Sequence, residues 1–328
     1  MTRVREASDS SAVNGSLSWR EVTVQVIKAL LKDPAALKRF WIIGPSEERY
    51  VRPRREYELP EYRDGMRYCT SNEKYLRPTR YCNPRDPLVI ALANKLGAYE
   101  KTDREFAEAA LDFINRNLTL EICRFDDVSM TLKRGTGSCW HLINVFIALC
   151  RAAGIKARGK VFKQVMTEEE ENVLLSSDPL FGKIYLAVNV FSQGEACIDG
   201  EWLDADVAAS PEMHAARGMP ITKLGEGRIG TQRLADPSQV RHFESAPPFI
   251  ATSMTILTWF APAMGERMNV LVQTQNALGR KIIEECGGIE AYDLNARKEL
   301  LSAEGIAEEI WKLTQKAEQE HVLVFEES

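Results

Sequence analysis

The chain has 328 residues, 45% hydrophobic and 27% charged, which places it in the ordinary globular range and excludes disordered, collagen-like and membrane-bundle classes. Its formal net charge is −5, and Lys and Arg are dispersed apart from a short knot at Arg52, Arg54 and Arg55, so no basic stripe is offered to nucleic acid. Seven cysteines lack CxxC or CxxH spacing and read mostly as reduced thiols, and no metal or cofactor is implied.

Met1 to Leu17 is polar, without the apolar core of a signal peptide, and reads as a flexible leader; a cytoplasmic location follows as an expectation. Residues 18–74 read as a helical and irregular extension. Its first part, Ser18 to Trp41, carries Val22, Val26, Ile27, Leu30, Leu31 and Leu37 at helical spacing, with a break near Pro34. The stretch from Ile43 to Pro87 is rich in Pro, Arg and Tyr and is expected to wrap the surface of the next unit.

Thr102 with Glu105 three residues on forms a capping-box pattern, and Phe106, Ala110, Phe113, Ile114 and Leu118 follow at helical spacing. After the Gly-bearing loop Arg134 to Ser138, the residues Trp140, Leu142, Val145, Phe146, Leu149 and Ala153 predict a second helix. Ser138 is its N-cap and Gly154 its stop. Ile155 to Val161, Ile184 to Phe191 and Ala196 to Asp206 alternate like strands, with an Asp199-Gly200 hairpin turn, so a small antiparallel sheet follows the helix. Residues 211–245 read as irregular and 265–322 as helical, within a mainly helical extension over 211–328. The fold class is α+β. Pro247 to Met264 is the longest apolar stretch, but Thr252, Ser253, Thr255, Thr258 and Pro262 interrupt it. It reads as buried or pocket-lining, and no membrane partner is expected.

Cys139 falls in the first turn of its helix, where free backbone N–H groups and the positive end of the helix dipole favour a thiolate. Gly135 and Gly137 would let backbone and substrate approach, and the Cys139 N–H could help to hold an oxyanion. The run Thr131-Leu132-Lys133 through Gly135, Gly137 and Cys139, with Ala148 to Ile155 and Ala157-Arg158, resembles the core motif of the transglutaminase-like (cysteine protease-like) superfamily. The resemblance covers roughly 75–210. It implies a transglutaminase/papain-like core, a nucleophile helix on an antiparallel sheet, and a Cys-His-Asp triad.

Asp206, four residues after Trp202, matches the family's acid. The family's histidine has no counterpart: ungapped alignment puts Phe191 at its place, and aligning the preceding strand offers Tyr185. Four histidines exist, of which His141 and His214 are candidates for a site role; His242 and His321 read as surface residues. Candidate catalytic residues are therefore Cys139, Asp206 and His141, with Trp140, His214 and Tyr185 as substrate-binding candidates. The implied function is acyl transfer, or amide or thioester cleavage, on a small-molecule or carrier-bound substrate. A catalytically inactive binding module and thiolate chemistry of another kind stay open, as do the substrate and the oligomeric state.

Overall fold

The structure is a computed structural model that describes residues 38–39, 41–163, 190–226 and 240–302. The leader, nearly all of the expected helix before Trp41, Tyr185 with the start of its expected strand, and His321 lie outside the described residues. Among the described residues the elements are α1 (Pro87–Lys95), α2 (Asp103–Asn117), β1 (Thr119–Leu120), α3 (Val128–Arg134), β2 (Thr136–Gly137) and α4 (Cys139–Ala152). Then come β3 (Ala157–Lys163), β4 (Val190–Ile198), β5 (Glu201–Ala205), α5 (Pro211–Ala216), β6 (Arg241–Phe243), α6 (Pro248–Phe260), α7 (Pro262–Glu285) and α8 (Ile289–Ser302).

The architecture is α+β. Helix α4 packs on a four-stranded antiparallel sheet of order β5-β4-β3-β6, while β1 and β2 form a separate short parallel pair. Every residue of α4 after Cys139 is buried, and Trp140, Ile143, Phe146, Ile147 and Leu149 are inaccessible to solvent. A helix apolar all round has to lie at the centre of its domain. Helices α1 and α2 also pack against α4, supplying Val89, Leu92, Phe106, Ala110 and Ile114 to the same core.

Local chemistry sets the boundaries. The capping box of α2 forms as the sequence predicts, with Thr102 N–H donating to Glu105 Oε2 at 2.9 Å and Glu105 N–H donating to Thr102 Oγ1 at 3.3 Å. Helix α4 stops where Gly154 takes a left-handed φ of +90°. Asp199 and Gly200 are both left-handed, at φ +54° and +88°, which suits the tight hairpin joining β4 to β5. The expected Asp199-Gly200 turn thus divides the strand-like run from Ala196 to Asp206 between β4 and β5.

Residues 211–245 hold more regular structure than expected, in α5 and β6. The apolar stretch Pro247 to Met264 is split into α6 and the start of α7 at Ala261-Pro262, because proline can begin a helix but not continue one. Among the described residues no helix is long and apolar enough to cross a membrane. Helix α7 crosses α5 so closely that a Cβ on Gly279 would overlap the Glu212 carbonyl.

Between residues 42 and 86 the chain has no helix or strand beyond a Thr79–Cys82 bridge, and it is fastened to the core through polar contacts. Cys69 N–H donates to Ala152 O at 2.9 Å, and Arg52 grips buried Glu121 with nitrogens 2.7 and 3.0 Å from its carboxylate. Arg55 donates to Lys133 O at 3.1 Å. Two of the three arginines of the basic knot thus serve as internal fasteners.

The helix-to-sheet contact is tightest at glycines. A Cβ on Gly159 would lie 2.6 Å from the Trp140 ring, and one on Gly194 would lie 2.9 Å from Phe146. Gly159→Ala should therefore lower stability by about 1–3 kcal/mol through overpacking. A urea transition measured at unchanged slope checks this.

Candidate active site

The site is built by the turn from α3 into α4. Helix α3 ends at Gly135, whose φ of +80° favours glycine. Thr136 and Gly137 then pair with Thr119 and Leu120, and this pins the strand that leads into Ser138. A Cβ on Gly137 would sit 2.5 Å from His141 Cβ, and one on Gly135 would sit 3.1 Å from Arg55 Cβ. The space left by both glycines is thus occupied by the protein's own side chains, where substrate access was expected. Ser138 is the N-cap, as expected, and Cys139 the first helical residue.

Cys139 is partly exposed as a residue, but its sulfur is largely removed from water. Burial pushes its thiol up to about 11, against the pull of the Trp140 and Cys139 backbone N–H groups. No charged side chain among the described residues contributes. The sequence-based expectation of a thiolate in the resting protein is therefore corrected: desolvation outweighs the helix terminus. The N–H groups are where acyl chemistry needs them, but the sulfur carries a proton.

His141 is buried, and its ring nitrogens are engaged away from Sγ. Nδ1 lies 3.0 Å from Ser138 N and 2.8 Å from Ser138 Oγ, and Nε2 lies 3.1 Å from Asp126 N and 3.3 Å from Asp126 Oδ1. Its ring also leans on Phe125, with centroids 4.3 Å apart. Asp126 is further bound by Arg134 through Nη1 and through Nη2, the latter at 3.2 Å. Burial pushes the Asp126 carboxyl up, but hydrogen bonds from His141 and Arg134 and the guanidinium charge more than reverse this, holding it at about 2.

Asp206 is fully buried just past β5. Its Oδ1 accepts from Ala208 N–H at 3.3 Å, and its carbonyl accepts from Asn115 Nδ2 at 3.1 Å. His214, on α5, is equally buried, with Nδ1 3.0 Å from Ser210 O and Nε2 2.6 Å from Thr222 Oγ1. Burial lowers its pKa while the Asp206 charge opposes that shift, so the two groups are electrostatic neighbours. The structure thus brings His214 to Asp206, while His141 belongs to Ser138 and Asp126. Phe191, which ungapped alignment puts at the histidine's place, pairs with Phe162 across β3 and β4.

Trp140, expected to line a substrate pocket, is instead sealed under Gly159 and stands edge-on to Phe243, with centroids 6.3 Å apart. Trp202 lies beneath the Arg158 guanidinium at 3.8 Å and edge-on to Tyr75 at 5.2 Å. All seven cysteines are free thiols, and Cys150 is buried core, as expected. The pocket-lining role of the apolar stretch holds for Thr258 and Pro262. With Tyr50, Ile122, Gly265, Glu266 and Asn269 they line a cleft of about 310 Å³, and Cys139 is not among its walls.

Sequence reasoning missed Asp126 and Arg134, which anchor His141, and the function of Arg151. Arg151 is fully buried and donates to Ala157 O at 2.8 Å, Arg77 O at 2.8 Å and Glu244 O at 2.5 Å. Its place in the motif after Cys150 is explained by this stitching of three chain segments. Asp126 carried a faint signal, as one of two aspartates at the start of α3 with Arg134 in that helix's last turn.

Residues 90–207, from α1 to just past Asp206, match the model of the transglutaminase-like superfamily. Among solved structures, a candidate cysteine protease from Cytophaga hutchinsonii is 24% identical over 52% of this chain and 50% of its own length, with a TM-score of 0.32. The chain thus spans half the length of that protein. No curated protein matches the chain.

The buried His214 makes a testable demand. Its folded-state pKa is depressed below the unfolded value of about 6.5, so the unfolded chain binds the extra proton first. Stability from this group is complete above that value and lost as pH falls below it. His214→Gln should flatten the fall in unfolding free energy between about pH 7.5 and about pH 5.5, and an unchanged slope would assign the pH dependence elsewhere.

Proposed function

We propose that the protein is a cysteine-dependent acyltransferase whose donor is an activated acyl group, a small-molecule or carrier-bound thioester, and whose nucleophile is Cys139. The match to a cysteine-based catalytic superfamily supports the reaction class. The observation that carries the choice of donor is the neighbourhood of Sγ: two main-chain N–H groups and, among the described residues, no imidazole.

An amide leaves as an amine and needs a general acid to protonate it. A thioester leaves as a thiolate of pKa about 8–9 and needs none. In the first step Sγ bonds to the acyl carbon and the donor's C–S bond breaks. The proton lost by the Cys139 thiol ends on the departing sulfur, and the Cys139 and Trp140 N–H groups are available to the oxyanion. In the second step an amine or water takes the acyl group and the Cys139 thiol is restored. Asp206 and His214 then support the loop beyond β5.

A second reading, an inert binding module that keeps the fold, is favoured by the protonated state of the resting thiol. Incubation with an acyl N-acetylcysteamine thioester, followed by intact mass, separates the two. The acyltransferase should gain one acyl mass on Cys139, lose it in Cys139→Ala, and gain nothing from the matching amide. An unmodified wild-type protein would instead establish the module.

A further inference from the structure

We propose that His141 is a positioning residue for the nucleophile: held between Ser138 and Asp126, its ring fixes the main chain from which the Cys139 and Trp140 N–H groups reach Sγ. The inference deepens the reading of Cys139 as an acyl acceptor and rests on it for its biological meaning, while its test uses only the reactivity of the thiol.

Helix α4 begins inside the protein, so water cannot satisfy its leading N–H groups as it does at an exposed terminus. Ser138 N–H instead meets His141 Nδ1 at 3.0 Å, and His141 N–H closes the turn onto Ser138 O at 2.8 Å. The first bond is the return half of a capping box, with an imidazole where Glu or Gln usually stands, and the second is a main-chain turn bond. The far side of the ring is held at Nε2 by Asp126, which Arg134 fixes from the last turn of α3; Arg134 in turn donates to Thr136 O at 2.9 Å. The chain of contacts therefore starts and ends on the strand and cap that deliver Cys139. Gly137 belongs to the same device, since a Cβ there would collide with His141 Cβ and come within 3.2 Å of Thr131 Cγ2.

The charged groups around the ring are Asp126 from the loop before α3 and, through it, Arg134. A neutral imidazole can accept one main-chain N–H, from Ser138 or from Asp126; an imidazolium can accept neither.

The test is the rate of Cys139 alkylation by iodoacetamide in the full chain, followed by peptide mass across pH, in the parent, His141→Ala and His141→Gln. Far-UV circular dichroism confirms that each variant is folded. The alanine variant should react at least about threefold more slowly at a pH where the parent reacts measurably, with its profile displaced upward, since the sulfur loses aligned N–H groups. Glutamine can accept the Ser138 N–H and should restore the rate to within about twofold. Should His141→Ala fail to fold, Asp126→Ala removes the outer anchor alone at a partly exposed position and should slow alkylation in the same direction. A folded His141→Ala or Asp126→Ala protein with the parent's rate and profile would overturn the proposal. So would an alanine variant that glutamine fails to rescue. Failure of acyl transfer with this pattern intact would count against the proposed function and leave the positioning role standing.

Discussion

Burying a helix end to end is the constraint from which the rest of this structure follows. Helix α4 gives its apolar surface to α1, α2 and the sheet. Its first N–H groups must then find partners inside the protein, because an unpaired buried N–H costs about as much as a lost hydrogen bond. Ser138, His141 and the Cys139 sulfur share that duty. The same burial dries the sulfur, so the terminus that could stabilise a thiolate sits where a bare charge is costly.

This places the site between two regimes. An exposed cysteine at a helix start would titrate low and react with many electrophiles. Here the thiol waits protonated beside N–H groups whose value rises as water is excluded. His214, whose pKa burial lowers, is an electrostatic neighbour of the buried Asp206 and is tied through Thr222 to the loop that follows α5.

What was legible in the sequence was local. The Thr102–Glu105 box, the Gly154 stop, the Asp199-Gly200 turn and the helical spacing of apolar residues from Trp140 to Ala153 each depend on residues a few positions apart, and the structure has all of them. The match to the transglutaminase-like model over residues 90–207 was legible for the same reason, through the spacing from Thr131 to Arg158. Contacts of long separation were not legible: Arg52 with Glu121 spans 69 positions and Arg151 with Glu244 spans 93. His141 shows the limit most clearly. The sequence offers it as a catalytic candidate, and only the fold reveals Asp126, 15 positions upstream, as the group that occupies it. Trp140 was misjudged because Gly159, which makes room for it, gives no sign in a sequence of what will fill the gap.

The central claim is that the Cys139 thiol is dry and protonated at rest. Its titration in the native protein tests this most directly, read as the alkylation rate of the Cys139 peptide from about pH 7 to about pH 11 relative to a free-thiol standard. The account predicts a rate that keeps rising with pH and an apparent value near the burial-raised position of about 11. A plateau reached below about pH 8 would show a resting thiolate and contradict it.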